Sequence, residues 1–238
     1  MQSSQGSFLF DLDGTLVDSV YQHVLAWDEA LKAEGIELSI WRIHRKIGMS
    51  GGLLTHMLLR ETELEISPER IERLQKLHVE AYRSRAQAVR PLPGARELLG
   101  YLTETGIPWA VATSGRMESA RPVLETLGVD FERVVVVTRD MVKYAKPDPD
   151  LFLTAAARLG VEILTATVVG DSVWDMLASR RARCLGIGLL SGGYGQEELE
   201  RAGAYRVYED PADMLRRIDE SGVFDHVASE RLQHLHGT

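Results

Sequence analysis

The sequence has little cysteine and no excess of basic residues. Cys184 is the single cysteine among 238 residues, which excludes an intrachain disulfide framework and a zinc site built from cysteines. The 27 Lys and Arg residues are outnumbered by 35 Asp and Glu residues, which gives a formal net charge of −8. Because nucleic acids are bound through basic surfaces, this balance argues against a nucleic-acid partner.

Long hydrophobic runs are also missing. No uncharged apolar stretch approaches the ~18 residues that a membrane span requires, and the first residues lack the basic and apolar parts of a signal peptide. Hydrophobic residues make up 45% and charged residues 26% of the chain, as in ordinary globular proteins. We therefore expect a soluble, cytoplasmic protein with no membrane partner, and the sequence makes no prediction of its oligomeric state.

Short apolar runs alternate with helical patterns along most of the chain. The runs that predict buried strands are 7–10, 109–113, 133–138, 167–170 and 184–187, with a weaker sixth at 206–208. The patterns that predict helices between them are 94–104, 117–127, 150–159, 173–181, 197–202 and 212–220. This alternation is typical of an α/β fold with a doubly wound parallel sheet.

One stretch interrupts the alternation. Between residues 19 and 90 little predicts a strand, whereas 20–34, 50–61 and 68–86 have helical patterns, the last preceded by Ser67 as a helix cap. We therefore predict a core formed by residues 1–18 and 91–238, with an inserted all-helical cap at 19–90. The final segment, 227–238, contains His234 and His236, to which the sequence assigns no role.

Two carboxylates follow the first predicted strand. Asp11 and Asp13 are two positions apart, so in an extended segment their side chains point the same way. At the carboxyl end of a parallel strand they would face the crevice in which such sheets bind ligands. Taken alone, the Asp-Gly step at Asp13 is also consistent with an ordinary acidic turn.

Three further segments near strand ends carry groups suited to phosphate or metal. In Thr-Ser-Gly at 113–115, hydroxyls and main-chain N–H groups before a helix can hold an anion. Lys146 lies in a Lys-Pro-Asp-Pro segment, and Asp171 and Asp175 lie one helical turn apart after another strand. Each segment alone is also explained as a helix cap or a proline-closed loop. Their occurrence together favours one shared site.

These motifs together resemble the haloacid dehalogenase (HAD) superfamily, in particular its phosphatases with a helical cap, in the phosphoglycolate-phosphatase and β-phosphoglucomutase-like branch. The motifs are Asp-x-Asp-Gly-Thr at 11–15, Thr-Ser-Gly at 113–115, Lys-Pro-x-Pro at 146–149 and Gly-Asp-Ser-x-x-Asp at 170–175. The resemblance covers nearly the whole chain. It implies a Rossmann-like core with a helical cap and a Mg²⁺-dependent phosphatase that hydrolyses a small phosphorylated metabolite through an aspartyl-phosphate.

The resemblance also implies catalytic roles. Asp11 would be the nucleophile that accepts the phosphoryl group, and Asp13 would protonate the leaving alcohol and then activate water. Thr113 would hydrogen-bond the phosphoryl oxygens, and Lys146 would offset their negative charge. The main-chain N–H groups of Ser114 and Gly115 would also bind the phosphoryl group.

The implied metal ligands are all acidic. Asp171 would bind Mg²⁺ directly and Asp175 would support it, while Asp11 and the main-chain carbonyl of Asp13 would complete the set. Mg²⁺ prefers ~6 oxygen ligands, and it would reduce the repulsion between a carboxylate and a phosphate. The crowding of carboxylates would also help to keep one of them protonated near neutral pH.

Other activities are less consistent with the sequence. A phosphosugar mutase of the β-phosphoglucomutase type is the main alternative, but Gly51 stands where those mutases carry an arginine for a second phosphate. A non-catalytic phosphoaspartate or binding module is disfavoured because every implied catalytic position is filled. The segment 48–52 matches the Gly-x-Ser-x-Gly nucleophile elbow of serine hydrolases, but residues 41–46 before it carry three cations and do not predict the required buried strand.

We expect substrate choice to reside in the cap, because every phosphomonoester offers the strand ends the same phosphoryl group. The candidate residues are two cations and a glycine-rich loop, with His23 and Trp27 behind them; they are Arg45, Lys46, Gly48, Ser50 and Gly51. Two cations suit a second anionic group on the substrate, although a solvated basic turn is an alternative. Replacing both cations by alanine is then expected to raise KM for the preferred substrate more than for a generic aryl phosphate.

Overall fold

The centre of the protein is a parallel β-sheet. The computed structural model describes residues 6–62 and 67–221, so the segment 227–238 lies outside the described residues. The strands are Ser7–Phe10 (β1), Trp109–Ala112 (β2), Val135–Val137 (β3), Ala166–Gly170 (β4), Leu185–Leu189 (β5) and Arg206–Tyr208 (β6). They pair in the order β3-β2-β1-β4-β5-β6, and every pair is parallel. The predicted α/β Rossmann-like sheet is confirmed.

Ten α-helices accompany the sheet in the described part of the chain. Those of the inserted segment are Val20–Ala33 (α1), Ile40–His44 (α2), Gly51–Arg60 (α3) and Pro68–Ala86 (α4). The others are Ala95–Glu104 (α5), Met117–Thr126 (α6), Asp150–Leu159 (α7), Val173–Ala182 (α8), Gln196–Ala202 (α9) and Pro211–Arg216 (α10). None of these helices has the length and apolar character that crossing a bilayer requires.

The central strands are mainly apolar because helices cover both faces of the sheet. Along β1, Phe8 and Phe10 pack with α5 and α6 in one hydrophobic cluster, whereas Leu9 packs with α7 in another. All three side chains have no exposed surface. Successive strand residues point to opposite faces, so a strand buried on both sides needs a continuous apolar run rather than an alternating one.

Some element ends differ from the sequence prediction. β3 starts later than predicted because the main-chain N–H groups of residues 133 and 134 donate to the Asp130 carbonyl in a turn. β5 extends further than predicted because its last residues pair with β6. The predicted helix 212–220 is α10 followed by a 3₁₀ turn at Ile218–Ser221. These differences follow from long-range pairing and local turns, which periodicity does not encode.

The inserted helices have a hydrophobic cluster of their own. Trp27 and Leu31 of α1 pack with Leu58 of α3 and Leu74 of α4, and the described part of 19–90 contains no strand. The Ser67 side chain accepts the hydrogen bond of the Arg70 N–H at 3.3 Å, as expected for the cap of α4. The short helix α2 was not predicted from the sequence, since its five residues are too few for a clear periodic pattern.

The two chain segments that join the inserted helices to the core run side by side. Val17 and Pro91 form an isolated antiparallel bridge, and the Asp18 N–H donates to the Arg90 carbonyl at 2.9 Å. The boundaries that we propose for the cap, 19–90, fall at this bridge. Both connections to the inserted helices are therefore joined to each other by main-chain hydrogen bonds.

The cap cluster generates a stability prediction. Leu58→Ala is expected to lower the free energy of unfolding by ~2–5 kcal/mol, because Leu58 has no exposed surface and its loss leaves a cavity. Leu53 on the same helix is 37% exposed, so Leu53→Ala should cost less than ~1 kcal/mol. Denaturant unfolding followed by circular dichroism measures both variants, and equal losses would contradict the packing of α3.

Candidate active site

The carboxyl ends of the central strands bring the predicted core residues together. Because β1 lies between β2 and β4, the residues that follow these three strands meet at one edge of the sheet. Asp11 follows β1, Thr113 follows β2 and Asp171 follows β4, and all three side chains are buried. Asp175 joins them from the first turn of α8.

Lys146 reaches this edge from the loop between β3 and α7. Its side chain has no exposed surface, and its Nζ forms ion pairs with Asp11 and, at 2.8 Å, with Oδ1 of Asp175. Burial opposes the charged form of Lys146, but the two carboxylates outweigh burial and raise its pKa. Lys146 is therefore a fixed positive charge inside an otherwise acidic site.

Three buried carboxylates form a compact cluster. Asp11, Asp171 and Asp175 each offer an oxygen, and these oxygens lie within 4.8 Å of one another. The Thr15 hydroxyl donates to Oδ1 of Asp171 at 2.9 Å, while the Ser172 N–H donates to Oδ2 of Asp175 at 3.1 Å. Each side chain is thus oriented by its neighbours and keeps oxygen atoms directed at the cluster.

The cluster carries more negative than positive charge. Burial, followed by the charges of Asp175 and Asp11, raises the pKa of Asp171 well above its usual value. Burial also raises the pKa of Asp11 to about 7, although the neighbouring Lys146 ammonium acts in the opposite direction. A cation placed among these oxygens would relieve this repulsion. The cluster therefore has the donor atoms and the charge that suit a metal ion.

Two glycines let the backbone approach the cluster closely. A Cβ on Gly192 would lie 1.8 Å from Oδ2 of Asp171, and a Cβ on Gly170 would lie 2.4 Å from the Cβ of Asp175. No side chain fits at either position without moving a carboxylate. These glycines were not predicted as site residues. A close approach between backbone and a side chain produces no periodic pattern in the sequence that could indicate it.

Asp13 has a different environment from the buried cluster. Its Oδ1 accepts a hydrogen bond from the Ser19 hydroxyl at 2.6 Å and lies 3.3 Å from Nε2 of His23. Its Oδ2 faces the turn after β2, 3.9 Å from where a Cβ on Gly115 would lie. Burial raises the pKa of Asp13, but His23 and Ser19 outweigh burial and lower it. Burial and the crowding of carboxylates therefore raise the pKa of Asp11 and of Asp171, whereas the pKa of Asp13 is lowered.

The turn after β2 contacts both the core and the cap. The Thr113 hydroxyl accepts the Gly115 N–H at 3.0 Å, and the Ser114 hydroxyl donates to the Gly48 carbonyl at 3.0 Å. The Gly115 N–H that the resemblance assigns to phosphate is thus bonded within the turn. Ser114 connects this turn to the glycine-rich cap loop.

A cavity of about 930 Å³ opens between this edge of the sheet and the cap. Its core wall includes Asp11, Asp13 and Thr113, and its cap wall includes His23 and Trp27. Of the predicted cap residues, Gly48 and Gly51 also line the cavity. The cavity therefore joins the carboxylates at the strand ends to a space large enough for a leaving alcohol of sugar size.

Three of the predicted cap residues do not line this cavity. Arg45 pairs with Glu198 and stacks on the Tyr194 ring at 4.1 Å, and Lys46 pairs with Glu61 at 3.1 Å. Ser50 is buried and does not line the cavity. Arg45 and Lys46 are thus held by acidic residues that do not line the cavity, and a contact of Arg45, Lys46 or Ser50 with the substrate stays a prediction.

The glycine-rich segment is not a nucleophile elbow. Ile40–His44, before it, forms a helix and not a buried strand. Gly48 has a positive φ of 95°, and a Cβ there would lie 2.7 Å from the Ser172 hydroxyl. The segment is a tight loop that packs against the core, which excludes the serine-hydrolase interpretation.

Sequence reasoning missed several residues of the cavity wall. His78 and Tyr82 of α4 line it beside His23 and Trp27 of α1. His23 stacks on Tyr82 with ring centroids 3.9 Å apart, and Trp27 stacks on His78 at 4.2 Å. Each helix contributes two rings at an i, i+4 spacing, which places them on one face. That shared spacing is the signal that could have found them.

Four arginines that were not predicted as site residues also line the cavity; they are Arg83, Arg90, Arg116 and Arg139. Arg83 of α4 pairs with Glu118 of α6, and Arg116 pairs with Asp140 at 2.6 Å. The first pair joins the cap to the core across the rim of the cavity. Cations are therefore present at the cavity, but they come from segments that the sequence analysis did not single out.

The fold and the acidic site define an α/β enzyme with its site at the carboxyl edge of a parallel sheet. The sequence model of the haloacid dehalogenase-like hydrolase family matches residues 7–183. The chain belongs to this family, which confirms the resemblance stated from its motifs.

Individual relatives agree with this assignment. Hexitol phosphatase A of Escherichia coli is 37% identical over 179 residues, which cover 74% of this chain and 79% of that protein. A phosphoglycolate phosphatase of Agrobacterium fabrum is 32% identical over 189 residues, covering 77% and 80%. Among solved structures, a hydrolase from Pseudomonas syringae is 56% identical with a TM-score of 0.87, covering 91% of this chain and 99% of that one.

The placement of Lys46 generates a kinetic prediction. Lys46→Ala is expected to leave KM for a hydrolysed phosphomonoester within about twofold of the wild-type value, because its Nζ pairs with Glu61 away from the cavity. Thr113→Ala, at the strand end, should lower kcat/KM clearly in the same assay. Steady-state kinetics on both variants measures this, and a rise of about tenfold in KM for Lys46→Ala would restore it as a substrate contact.

Proposed function

We propose that this protein is a Mg²⁺-dependent phosphatase that hydrolyses a small phosphorylated metabolite through an aspartyl-phosphate on Asp11. The observation that carries the proposal is the pairing of two dissimilar carboxylates at one strand end. Asp11 is buried against Lys146, while Asp13 directs Oδ2 toward the Thr113–Gly115 turn. One carboxylate is thus placed for attack and the other for proton transfer.

The first half of the reaction transfers the phosphoryl group to the enzyme. An Asp11 oxygen forms a bond to phosphorus as the bond between phosphorus and the alcohol oxygen breaks. Asp13 donates its proton from Oδ2 to the departing alcohol oxygen. Lys146 favours the ionised form of Asp11 and offsets charge on the phosphoryl oxygens, and the Thr113 hydroxyl is placed to hydrogen-bond one of them.

The second half returns the enzyme to its starting state. Asp13, now a carboxylate, takes a proton from a water molecule whose oxygen attacks phosphorus. The bond between phosphorus and Asp11 breaks, and inorganic phosphate leaves. The lowered pKa of Asp13 suits this step, because the group that takes the proton must be ionised.

The acidic cluster fits Mg²⁺ by the chemistry of its donors. Asp11, Asp171 and Asp175 supply buried carboxylate oxygens within 4.8 Å of one another, and the main-chain carbonyl of Asp13 would add a fourth oxygen. Mg²⁺ prefers oxygen ligands and keeps several waters. When bound, the ion supplies positive charge that offsets the phosphoryl oxygens.

The relatives support a phosphatase over the alternative mutase. Two of the relatives above 30% identity carry the names of a hexitol phosphatase and a phosphoglycolate phosphatase. The cavity of about 930 Å³ is large for a two-carbon alcohol and has room for a sugar or a polyol. We therefore favour a phosphorylated sugar or polyol as the leaving group.

The function is tested by the nucleophile. The wild type should release inorganic phosphate from at least one member of a panel of glycerol, hexose and hexitol phosphates. Asp11→Asn should lower this turnover by roughly three orders of magnitude or more, because the amide cannot attack phosphorus. Asp18→Asn is the matched control. It replaces an exposed carboxylate in the same segment, and its turnover should be close to that of the wild type. Near-normal hydrolysis by a folded Asp11→Asn variant would refute the mechanism.

The metal assignment makes a separate prediction. Chelation should abolish phosphate release, Mg²⁺ should restore it, and the larger Ca²⁺ should not. Asp171→Asn should raise the Mg²⁺ concentration for half-maximal activity by about tenfold or more, since it removes a charged oxygen donor. Isothermal titration calorimetry with Mg²⁺ gives the same comparison without turnover. Full activity after exhaustive chelation would contradict the assignment.

A further inference from the structure

Two histidines of the cap form a hydrogen-bonded chain that ends on Asp13. Nε2 of His23 lies 3.3 Å from Oδ1 of Asp13, and Nδ1 of the same ring lies 3.2 Å from Nε2 of His78. Stacking fixes both ring planes, since His23 lies on Tyr82 and His78 lies on Trp27. The proposed reaction assigns no task to His78, although it is the far end of this chain.

The position of the acidic proton on Asp13 depends on what Oδ1 accepts. The Ser19 hydroxyl donates to Oδ1 at 2.6 Å, which occupies one of its two lone pairs. If Nε2 of His23 also donates, the second lone pair is occupied and the acidic proton must lie on Oδ2. Oδ2 faces the turn at Gly115, where the phosphoryl group is expected.

The opposite tautomer of His23 would misplace this proton. A neutral imidazole has one donor and one acceptor nitrogen, so a donating Nε2 requires Nδ1 to accept. Nε2 of His78 is the group at hydrogen-bond distance from Nδ1. Were Nδ1 of His23 protonated instead, Nε2 would accept the proton of Asp13 at Oδ1, on the side away from the substrate.

We propose that His78 is a positioning residue, which donates its Nε2–H to Nδ1 of His23 and so keeps the acidic proton of Asp13 on Oδ2. The inference rests on the proposed function, since it concerns the proton given to the leaving alcohol. Burial lowers the pKa of His78 well below its usual value, which agrees with a neutral ring that has one N–H to donate.

The proposal predicts a dependence on the leaving group. An alkoxide is a poor leaving group and needs the proton of Asp13, whereas 4-nitrophenolate leaves readily without one. An error in the position of this proton should therefore slow the cleavage of alkyl phosphates and spare the cleavage of 4-nitrophenyl phosphate. General loss of structure in the cap would slow both.

The test compares His78→Phe with His78→Gln. Phenylalanine keeps a ring to stack on Trp27 but has no N–H, whereas glutamine keeps an N–H donor. For the best alkyl substrate among glycerol 3-phosphate, glucose 6-phosphate and mannitol 1-phosphate, His78→Phe should lower the single-turnover rate by about 10–100-fold. The burst of 4-nitrophenol should change by less than about threefold, and His78→Gln should recover most of the alkyl rate.

Equal losses on both substrates, no loss on either, or a defect in His78→Gln as large as in His78→Phe would overturn the proposal. The ¹⁵N NMR spectrum of His23 in the wild type decides it independently of any variant. A proton on Nε2, with Nδ1 as an acceptor, is expected, and a proton on Nδ1 would overturn the proposal. If the wild type hydrolysed no phosphomonoester, the proposed function would fail, while the tautomer would still decide the role of His78.

Discussion

The buried ammonium group of Lys146 is the interaction on which the site depends. Removing a charge from water costs several kcal/mol unless the charge is paired, and Lys146 has no exposed surface. Its partners Asp11 and Asp175 arrive from β1 and α8, which are separate in sequence. Loss of one partner of a buried pair typically costs ~3–5 kcal/mol. This ion group therefore fixes the β3–α7 loop, the end of β1 and the start of α8 relative to one another.

The order of the strands makes this arrangement possible. With β1 in the middle of the sheet, the strand ends on either side deliver a hydroxyl at Thr113 and a carboxylate at Asp171 to the same edge. Glycines at 170 and 192 allow the carboxylates to pack directly against backbone. The core thus supplies a rigid, acidic pocket with one fixed cation, and the cap supplies the remaining wall through its stacked rings.

The sequence predicted the sheet and the strand-end residues because both have local signatures. An apolar run such as Phe8–Phe10 identifies a strand covered on both faces, and the motif at Asp11 and Asp13 is contiguous. The cap contacts have no such signature. Arg45 is held by Glu198, far away in the chain, and Lys46 by Glu61. Tertiary packing decides which acidic residue pairs with a given surface cation. The basic residues of this turn therefore did not by themselves indicate their ion-pair partners.

In the proposed reaction, Asp11 acts first as a nucleophile and Asp13 acts first as an acid. The pKa values of both carboxyl groups are shifted in directions that oppose these roles. The pKa of Asp11, the nucleophile, is raised to about 7, and the pKa of Asp13, the acid, is lowered. Each pKa shift has a cause that the binding of metal and substrate would change. A divalent cation among the three buried carboxylates would lower the pKa of Asp11 by attraction, and a phosphate dianion beside Oδ2 would raise the pKa of Asp13 by repulsion. In the proposed reaction, the contacts with Ser19 and His23 therefore suit Asp13 to accepting a proton, and the charge of a bound phosphate would suit it to donating one in the first step.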